Sequence, residues 1–252
     1  GNNFNPLMEL NPYDVSKITI LKDPALTAAY GSRGSNGIIA IETLDPSVTA
    51  TVIEFNLSTS ISLSPSNTLT QLNAEQHKTL MNEVLYSSGM FEEDIIQWYP
   101  SLYYDLEDPG YIDYQHNTFW QDEIFRNALS TNVNVNVKGG DEIATYGLSV
   151  GLTDNAGIIK ETDYNSYNLR FVSRLNVFRW LKMNANVGLS YNRSNLKDAA
   201  TSQQTSPILT SLAKSPLLNP YQYDEAGQEI SAVSEVDEIG VSNPIAVING
   251  YE

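Results

Sequence analysis

The run TNVNVNVK (131–138) sets Val133, Val135 and Val137 on one side of an extended chain and Asn132, Asn134 and Asn136 on the other. A period of two does not fit a helix; it specifies a strand with one apolar and one polar face. Four further stretches repeat it. Ile53, Phe55, Leu57, Thr59 and Ile61 alternate with Val52, Glu54, Asn56, Ser58 and Ser60. Residues 142–152 align Ala144, Tyr146, Leu148, Val150 and Leu152; residues 167–177 align Tyr167, Leu169, Phe171, Leu175 and Val177. Met183, Ala185, Val187, Leu189 and Tyr191 form the fifth apolar row, opposed by Asn184, Asn186, Gly188, Ser190 and Asn192.

Two environments produce such rows. A soluble sandwich alternates because one face is core and the other meets water. A transmembrane barrel alternates because lipid wets the apolar row and an aqueous lumen wets the polar one. The connections favour the barrel. Gly139-Gly140-Asp141 joins the second and third strands, and Phe178-Arg179-Trp180-Leu181 joins the fourth and fifth. The joins over 64–130 and 153–166, and everything after Arg193, are long. Short turns alternating with long loops is the outer-membrane pattern. Trp180 beside a short turn, with Tyr164 and Tyr167 at the far ends, fits a pair of aromatic girdles. A soluble core would also bury aromatics, so the ordered set carries the argument rather than any one ring.

Charge removes other classes. The 252 residues carry a formal charge of −16. Nucleic-acid binding and polybasic attachment to anionic lipid both need the opposite sign. With no cysteine there is no disulfide, thiolate metal site or cysteine nucleophile. No apolar run approaches the ~18 residues of a membrane-spanning helix. The chain opens mid-pattern at Gly1-Asn2-Asn3 without a signal peptide, which reads as a piece of a longer protein.

Ahead of the strands, after a polar lead-in over 1–10, Asn11-Pro12 and Asp23-Pro24 each offer a capping side chain followed by proline at the first helical position. Ile18 and Ile20 sit in a short strand; residues 25–30 fill two turns of helix; Gly31 ends it in the left-handed conformation. The loop GSRGSNG, with a turn signal at Asn36-Gly37, leads into the apolar strand Ile38-Ile39-Ala40-Ile41, giving a βαβ-like unit. Gly31, Gly34 and Gly37 match neither the dinucleotide fingerprint nor a P-loop. They also follow a helix C-terminus, the wrong end for an anion. Arg33 either meets the helix's last carbonyls or a carboxylate elsewhere, or is an exposed arginine on a tight turn. Asp45-Pro46 breaks the pattern and marks a domain boundary.

These residues carry a resemblance. LNPYDVSKITILKDPALTAAYGSRGSNGIIAIET (10–43) resembles the end of the plug domain in the SusC/RagA family of TonB-dependent outer-membrane transporters. The shared positions include Asn11, Pro12, Asp14, Val15, Ile18, Leu21, Lys22, Asp23, Ala28, Tyr30, Gly31, Arg33, Gly34, Asn36 and Gly37. Pro24 departs from the small residue usual there. LNAEQHKTLMNE, NTFWQDEIFRNA (117–128) and GLTDNAGIIKETDYNSYNLR resemble later family segments, and NPYQYDEAGQ and SNPIAVING do so more loosely.

The resemblance implies a mainly β chain with a small α+β plug portion, a fragment of a large antiparallel transmembrane β-barrel whose long loops contain short helices. Residues 1–45 are then the C-terminal part of the plug, with Asp23, Tyr30, Gly31, Arg33, Gly34, Asn36 and Gly37 as its structural motif. Residues 50–252 are the first five or so barrel strands with long extracellular loops. It implies TonB-dependent import of an oligosaccharide or peptide across a Gram-negative (Bacteroidota) outer membrane, without covalent chemistry. A SusD-like surface lipoprotein caps the outer face, and TonB pulls on a segment upstream of Gly1. Barrels of this class have about 22 strands, so five cannot close, and both margins are free to pair with other chains. The alternative is a soluble β-rich carbohydrate-binding or adhesion module.

The first long loop holds a helix. Asn73 with Gln76 forms a capping box, His77, Leu80, Met81, Val84 and Leu85 share a face, and Gly89 ends it. Trp98, Tyr103, Tyr104, Tyr111 and Trp120 are the candidate ligand contacts. They belong to an aromatic crowd that also includes Tyr99, Tyr114 and Phe119. Such rings either grip a sugar or peptide or pack the loop against itself. Neither His77 nor His116 has a nucleophile partner. The clusters Glu92-Glu93-Asp94 and Asp105/Glu107/Asp108 read as solvated surface. Paired loop carboxylates such as Glu93 and Asp105 also raise a glycoside-hydrolase reading, and the loops raise weak calcium binding. No cofactor or metal site is otherwise expected.

Overall fold

The computed structural model describes Leu7 and residues 10–43, 45–65, 69–198, 201–202, 204–224, 226–234 and 237–250. Most of the lead-in over 1–9, and Glu225 within the NPYQYDEAGQ segment, lie outside the described residues. The chain forms two compact units, Gly1–Ile61 with Leu129–Ala156 and Asp163–Ser194, and Ser62–Ala128 with Gly157–Thr162 and Asn195–Glu252. The plug-like segment therefore belongs with the strands, and the long loops form a unit of their own.

In the first unit, Asn11 caps a 3-10 turn, Pro12–Asp14, accepting a hydrogen bond from Tyr13 N at 3.1 Å. Strand β1 (Val15–Leu21) leads to helix α1 (Pro24–Thr27), capped by Asp23 through Ala25 N at 2.8 Å. A 3-10 stretch, Ala28–Gly34, follows, and then strand β2 (Ile38–Thr43). Two expectations are corrected here. The helix makes one α turn, not two; Gly31 breaks it with φ 64° and ψ −152°, a positive-φ kink rather than the left-handed helical conformation. And β1 pairs β2 antiparallel, Ile18 opposite Ile41 and Ile20 opposite Ile39, so the unit is not βαβ. A parallel return needs a crossover of about a dozen residues or more, usually a full helix; this kinked connection turns straight back. Gly34 is required by close approach, since a Cβ there would lie 2.6 Å from the backbone oxygen of Thr27.

Strands β3 (Thr49–Ser62), β4 (Ala128–Gly140), β5 (Ala144–Ala156), β6 (Asp163–Phe178) and β7 (Leu181–Asn195) form one sheet in sequence order. All five expected rows are strands. The register keeps each face uniform: Val133 faces Leu152, Val135 faces Val150 and Val137 faces Leu148, while Leu148 in turn faces Phe171. On the other side Asn134 meets Gly151, and Asn136 meets Ser149, which meets Arg170. The Asp141 carboxylate accepts from Ile143 N and Ala144 N, both at 2.8 Å, and closes the β4–β5 turn. Those two donors hold its pKa below the usual range. Between β6 and β7, Phe178 and Trp180 stack with centroids 5.6 Å apart. The β5–β6 join is shorter than expected. Pairing runs on through Asp154↔Asn165 to Ala156↔Asp163, leaving only Gly157–Thr162 as loop. Apolar alternation stops before the ladder does, because backbone pairing needs no apolar face.

Burial across the middle strands of this sheet is inverted, while on β3 and β7 both faces are largely exposed. Asn134 and Asn136, on the polar face, keep 3% and 6% of their surface, whereas Leu148, Leu152, Tyr167, Phe171 and Leu189 are exposed. Ile53, Phe55, Leu57 and Ile61 on β3 are exposed as well. Among the described residues no helix is long and apolar enough to cross a membrane.

The second unit collects helices α2 (Ala74–Ser87), α3 (Glu92–Trp98), α4 (Tyr111–Tyr114), α5 (Trp120–Ile124), α6 (Pro207–Ala213) and α7 (Pro244–Asn249) and a hairpin, β8 (Tyr221–Tyr223) with β9 (Glu229–Val233). Its core joins Leu85, Ile95, Leu102 and Leu217, with Ala74, Met81, Tyr99 and Tyr114 packed against them. The capping box is formed: Gln76 N donates to Asn73 Oδ1 at 2.8 Å, and Asn73 N donates to Gln76 Oε1 at 3.1 Å. Asn73→Ala is expected to cost about 1 kcal/mol in denaturant unfolding, the usual worth of an N-cap. Of the expected helix face, Leu85 is buried and His77 and Met81 are half-buried, but Leu80 and Val84 are exposed. The buried stripe runs Ala74, His77, Met81, Leu85, a narrower seam than the sequence suggested.

Candidate functional site

The buried side of the sheet is where the plug-like segment rests. Asn11 uses both ends of its amide. Its Oδ1 caps the Pro12–Asp14 turn, and its Nδ2 donates to Asn134 Oδ1 at 2.8 Å, with both residues buried. Asn136 Nδ2 lies 3.5 Å from the backbone oxygen of Tyr13, longer than an ordinary N–H···O hydrogen bond and so a weak contact. Ser149 has one hydroxyl proton and two acceptors in reach, a carboxylate oxygen of Asp14 and Asn136 Oδ1, the latter at 2.6 Å. Gly151 makes room: a Cβ there would stand 2.4 Å from Asn11 Nδ2. Farther along, Asp45 pairs with Arg174 at 2.6 Å, and the Pro46 ring lies over Gly147. Lys138 binds Glu54 at 2.9 Å on the same face.

An open cleft beside this contact is lined by Asn11, Asp14, Asn168, Arg170 and Ser190, among others. Thr145 Oγ1, Asn168 Oδ1 and Arg170 Nε are buried on this face with no protein partner. Left so in an apolar medium, each would cost about 1–3 kcal/mol, so the face suits an aqueous one.

The remaining sequence-derived residues are scattered. In the plug motif Asp23 caps α1, Gly31 and Gly34 serve the kink, Gly37 turns at φ 96°, and Tyr30, Arg33 and Asn36 are not buried. Of the loop aromatics, Trp98 is 67% exposed. Tyr103 donates to Asn82 Oδ1 at 2.9 Å, and Tyr104 meets Tyr114 edge-on with centroids 5.7 Å apart. Tyr111 opens α4 half-buried. Trp120 is fully buried, its indole donating to Ser215 O at 2.9 Å, so its ring is committed to the core. Tyr103 is pushed up to about 12 chiefly by its neighbour Tyr86, and Tyr114 to about 12 chiefly by burial. The carboxylates of Asp105 and Asp108 accept from backbone N–H groups of their own loop. Among the described residues no group of three or more His, Asp or Glu is arranged to hold a metal ion.

Sequence reasoning missed a buried ion pair. Lys214 Nζ lies 3.6 Å from Asp237 Oδ2 with both side chains shut off from solvent, and donates to Val241 O at 2.6 Å. Asp237 accepts from Val241 N at 2.7 Å and Ser215 N at 3.3 Å. Burial drives Lys214 down to about 8 against the upward pull of Asp237. The signal was there: Lys214 is the one charge in SPILTSLAKSPLL.

Two family-like segments prove to be partners. In WQDEIFR and GIIK, Phe125 bridges Ile159, Arg126 N donates to Ile158 O at 2.8 Å and Lys160 N to Ile124 O at 2.9 Å. The Arg126 guanidinium spans the loop, donating to Gly157 O at 3.2 Å and Thr162 O at 3.1 Å.

No family model matches the chain. Among characterised proteins it is 33% identical to the TonB-dependent receptor SusC of Bacteroides thetaiotaomicron over 174 residues, 69% of this chain and 15% of SusC. It is 24% identical to the TonB-dependent receptor P3 of Formosa agariphila over 192 residues, 76% of this chain and 16% of that receptor. Its fold matches the RagAB peptide transporter with a TM-score of 0.72 at 20% identity, covering 95% of this chain and 29% of that one. The RagAB peptide importer in its open-open state matches with a TM-score of 0.66 at 22% identity, covering 94% and 28%. The chain thus spans about one sixth of the curated relatives.

Proposed function

Because the chain belongs to the SusC/RagA family of TonB-dependent outer-membrane transporters, we propose that it is a plug-and-wall segment of an importer that carries an oligosaccharide or peptide across the outer membrane. The observation that carries this reading is the inverted sheet. Leu148, Leu152, Tyr167, Leu169 and Phe171 on the apolar face are bare, while Asn134 and Asn136 on the other face are covered by the plug-like segment, as a lipid-wetted wall around a polar lumen requires. A soluble carbohydrate-binding or adhesion module would turn the apolar rows inward, which is the reverse of what is seen.

In this reading the second unit is loop structure at the outer face, where a SusD-like lipoprotein docks. Trp98, Tyr104 and Tyr111 are its ligand-facing rings. TonB draws on the plug. The work is differential exposure of a site between conformations, with no bond made or broken in the cargo. The test is uptake of labelled oligosaccharide and peptide libraries by cells expressing the complete transporter, with and without TonB. Uptake that needs TonB is expected; uptake indifferent to TonB overturns the reading.

A further inference from the structure

We propose that an open cleft in the second unit, between α4 and the β8–β9 hairpin, is a subsite for an ammonium or guanidinium group of a peptide cargo, held by Asp113, Tyr221 and Tyr223. The inference rests on the transport reading above and selects a basic peptide over an oligosaccharide within it.

Backbone bonds hold the walls together. Asn219 N donates to Asp113 O at 3.2 Å, and His116 N donates to Leu217 O at 3.0 Å. The Tyr223 ring stacks on His116, with centroids 5.7 Å apart and planes 7° apart, and His116 Nε2 lies 2.8 Å from Ile112 O. What this lining offers a ligand is chiefly acceptors. The side-chain amide nitrogens already serve the protein: Asn219 Nδ2 donates to Tyr221 O at 2.8 Å and Glu229 Oε2 at 3.1 Å, and Gln222 Nε2 donates to Val233 O at 3.0 Å. The Asp113 carboxylate, Asn219 Oδ1 and Gln222 Oε1 meet no donor among the described residues. The hydroxyls of Tyr221 and Ser234 adapt to either role. Sugar hydroxyls are gripped by fixed donors and acceptors together. A cation asks only for acceptors and for the electron-rich faces of aromatic rings. The negative field reaches the rings: Tyr223 is raised above its ordinary value, first by burial and then by Glu229 and Asp113.

The surrounding unit has the matching sign. Of the 30 acidic residues, 20 fall in it, against 5 of the 14 lysines and arginines, so it carries −15 of the formal −16. Three of those five cations are engaged within the unit: Lys214 against Asp237, Lys160 3.9 Å from Glu123, and Arg126 on the carbonyls of Gly157 and Thr162. Such a field gathers cations and repels uronates and sulfate esters.

The test is calorimetric binding to the complete transporter of trilysine, trilysine acetylated at every amine, and a neutral glucose hexasaccharide. Trilysine should bind about tenfold or more tighter than either of the others, and less tightly as salt is raised. Asp113→Asn should weaken trilysine about tenfold, and Tyr221→Leu about threefold. Glu107→Gln removes a charge of the same unit outside the cleft lining and should stay within about twofold. No binding of trilysine, equal affinity for the acetylated peptide, tighter binding of the sugar, or equal losses in Asp113→Asn and Glu107→Gln each overturn the proposal. TonB dependence of uptake by the unsubstituted transporter judges the transport reading separately, so either can fail alone.

Discussion

Asp237→Ala is expected to destabilise the protein by about 3–5 kcal/mol in denaturant unfolding followed by tryptophan fluorescence. The loss is not the worth of the ion pair. It is what remains after one partner goes: the Lys214 ammonium stays sealed from water, and the N–H groups of Val241 and Ser215 lose their acceptor. Lys214→Met/Asp237→Leu, which removes both charges and keeps volume, should recover the share of that loss owed to the stranded ammonium but not the share owed to the Val241 and Ser215 N–H groups, which stay without an acceptor. If the double variant is as unstable as the single, the pair is needed for specific structure rather than charge balance. The pH profile is a separate check. Lys214 titrates near 8 folded and about 10.4 unfolded, so between those values only the unfolded chain holds the proton, and stability rises with pH. Tyr103 and Tyr114 titrate near 12 folded and about 10 unfolded; their contribution is complete below 10 and falls away toward 12. The profile should climb from pH 8 to a maximum near 10, and in Lys214→Met the climb should vanish while the fall remains.

Phe171→Arg, measured in a bilayer, is expected to cost about 2–4 kcal/mol, and Val177→Arg about 0–1. Phe171 lies midway along β6 and Val177 beside the β6–β7 turn, with both side chains on the bare apolar face. If lipid wets that face, the penalty follows depth, because a charge near the interface escapes to water and one at the midplane does not. Thr153→Arg on the lumen face should be mild by comparison. A soluble module would instead show penalties that track core packing with no dependence on position along the strand.

Much of this architecture is legible from residue order alone. Period-two rows fix the strands and their faces because nothing but a sheet presents them. Caps at Asn11, Asp23 and Asn73 are local chemistry, so they are readable too. What escapes is whatever depends on distant partners. The direction of the β1–β2 pair turns on where a helix fails, and Gly31 looked like an ordinary stop. The final rungs of β5 and β6 pair through Asp154, Asn155 and Asn165, residues whose polarity reads as loop. Trp120 reads in the sequence as a candidate ligand contact, but its ring is buried and Ser215 O, a residue far along the chain, takes its N–H. The Lys214–Asp237 contact joins positions with no shared motif. The seat of Asn11 on Asn134 spans more than a hundred residues, and although both asparagines stood out in the sequence, nothing there paired them.

Spin labels placed in turn at positions 167–171, 174 and 175 of β6, in the complete transporter reconstituted into lipid, test most directly which medium meets each face. Collision rates with oxygen, which concentrates in hydrocarbon, should peak at 167, 169, 171 and 175. Rates with a water-soluble nickel chelate should peak at 168, 170 and 174. Equal rates for both quenchers on the two rows, or the opposite phase, would contradict a lipid-facing wall around a polar lumen.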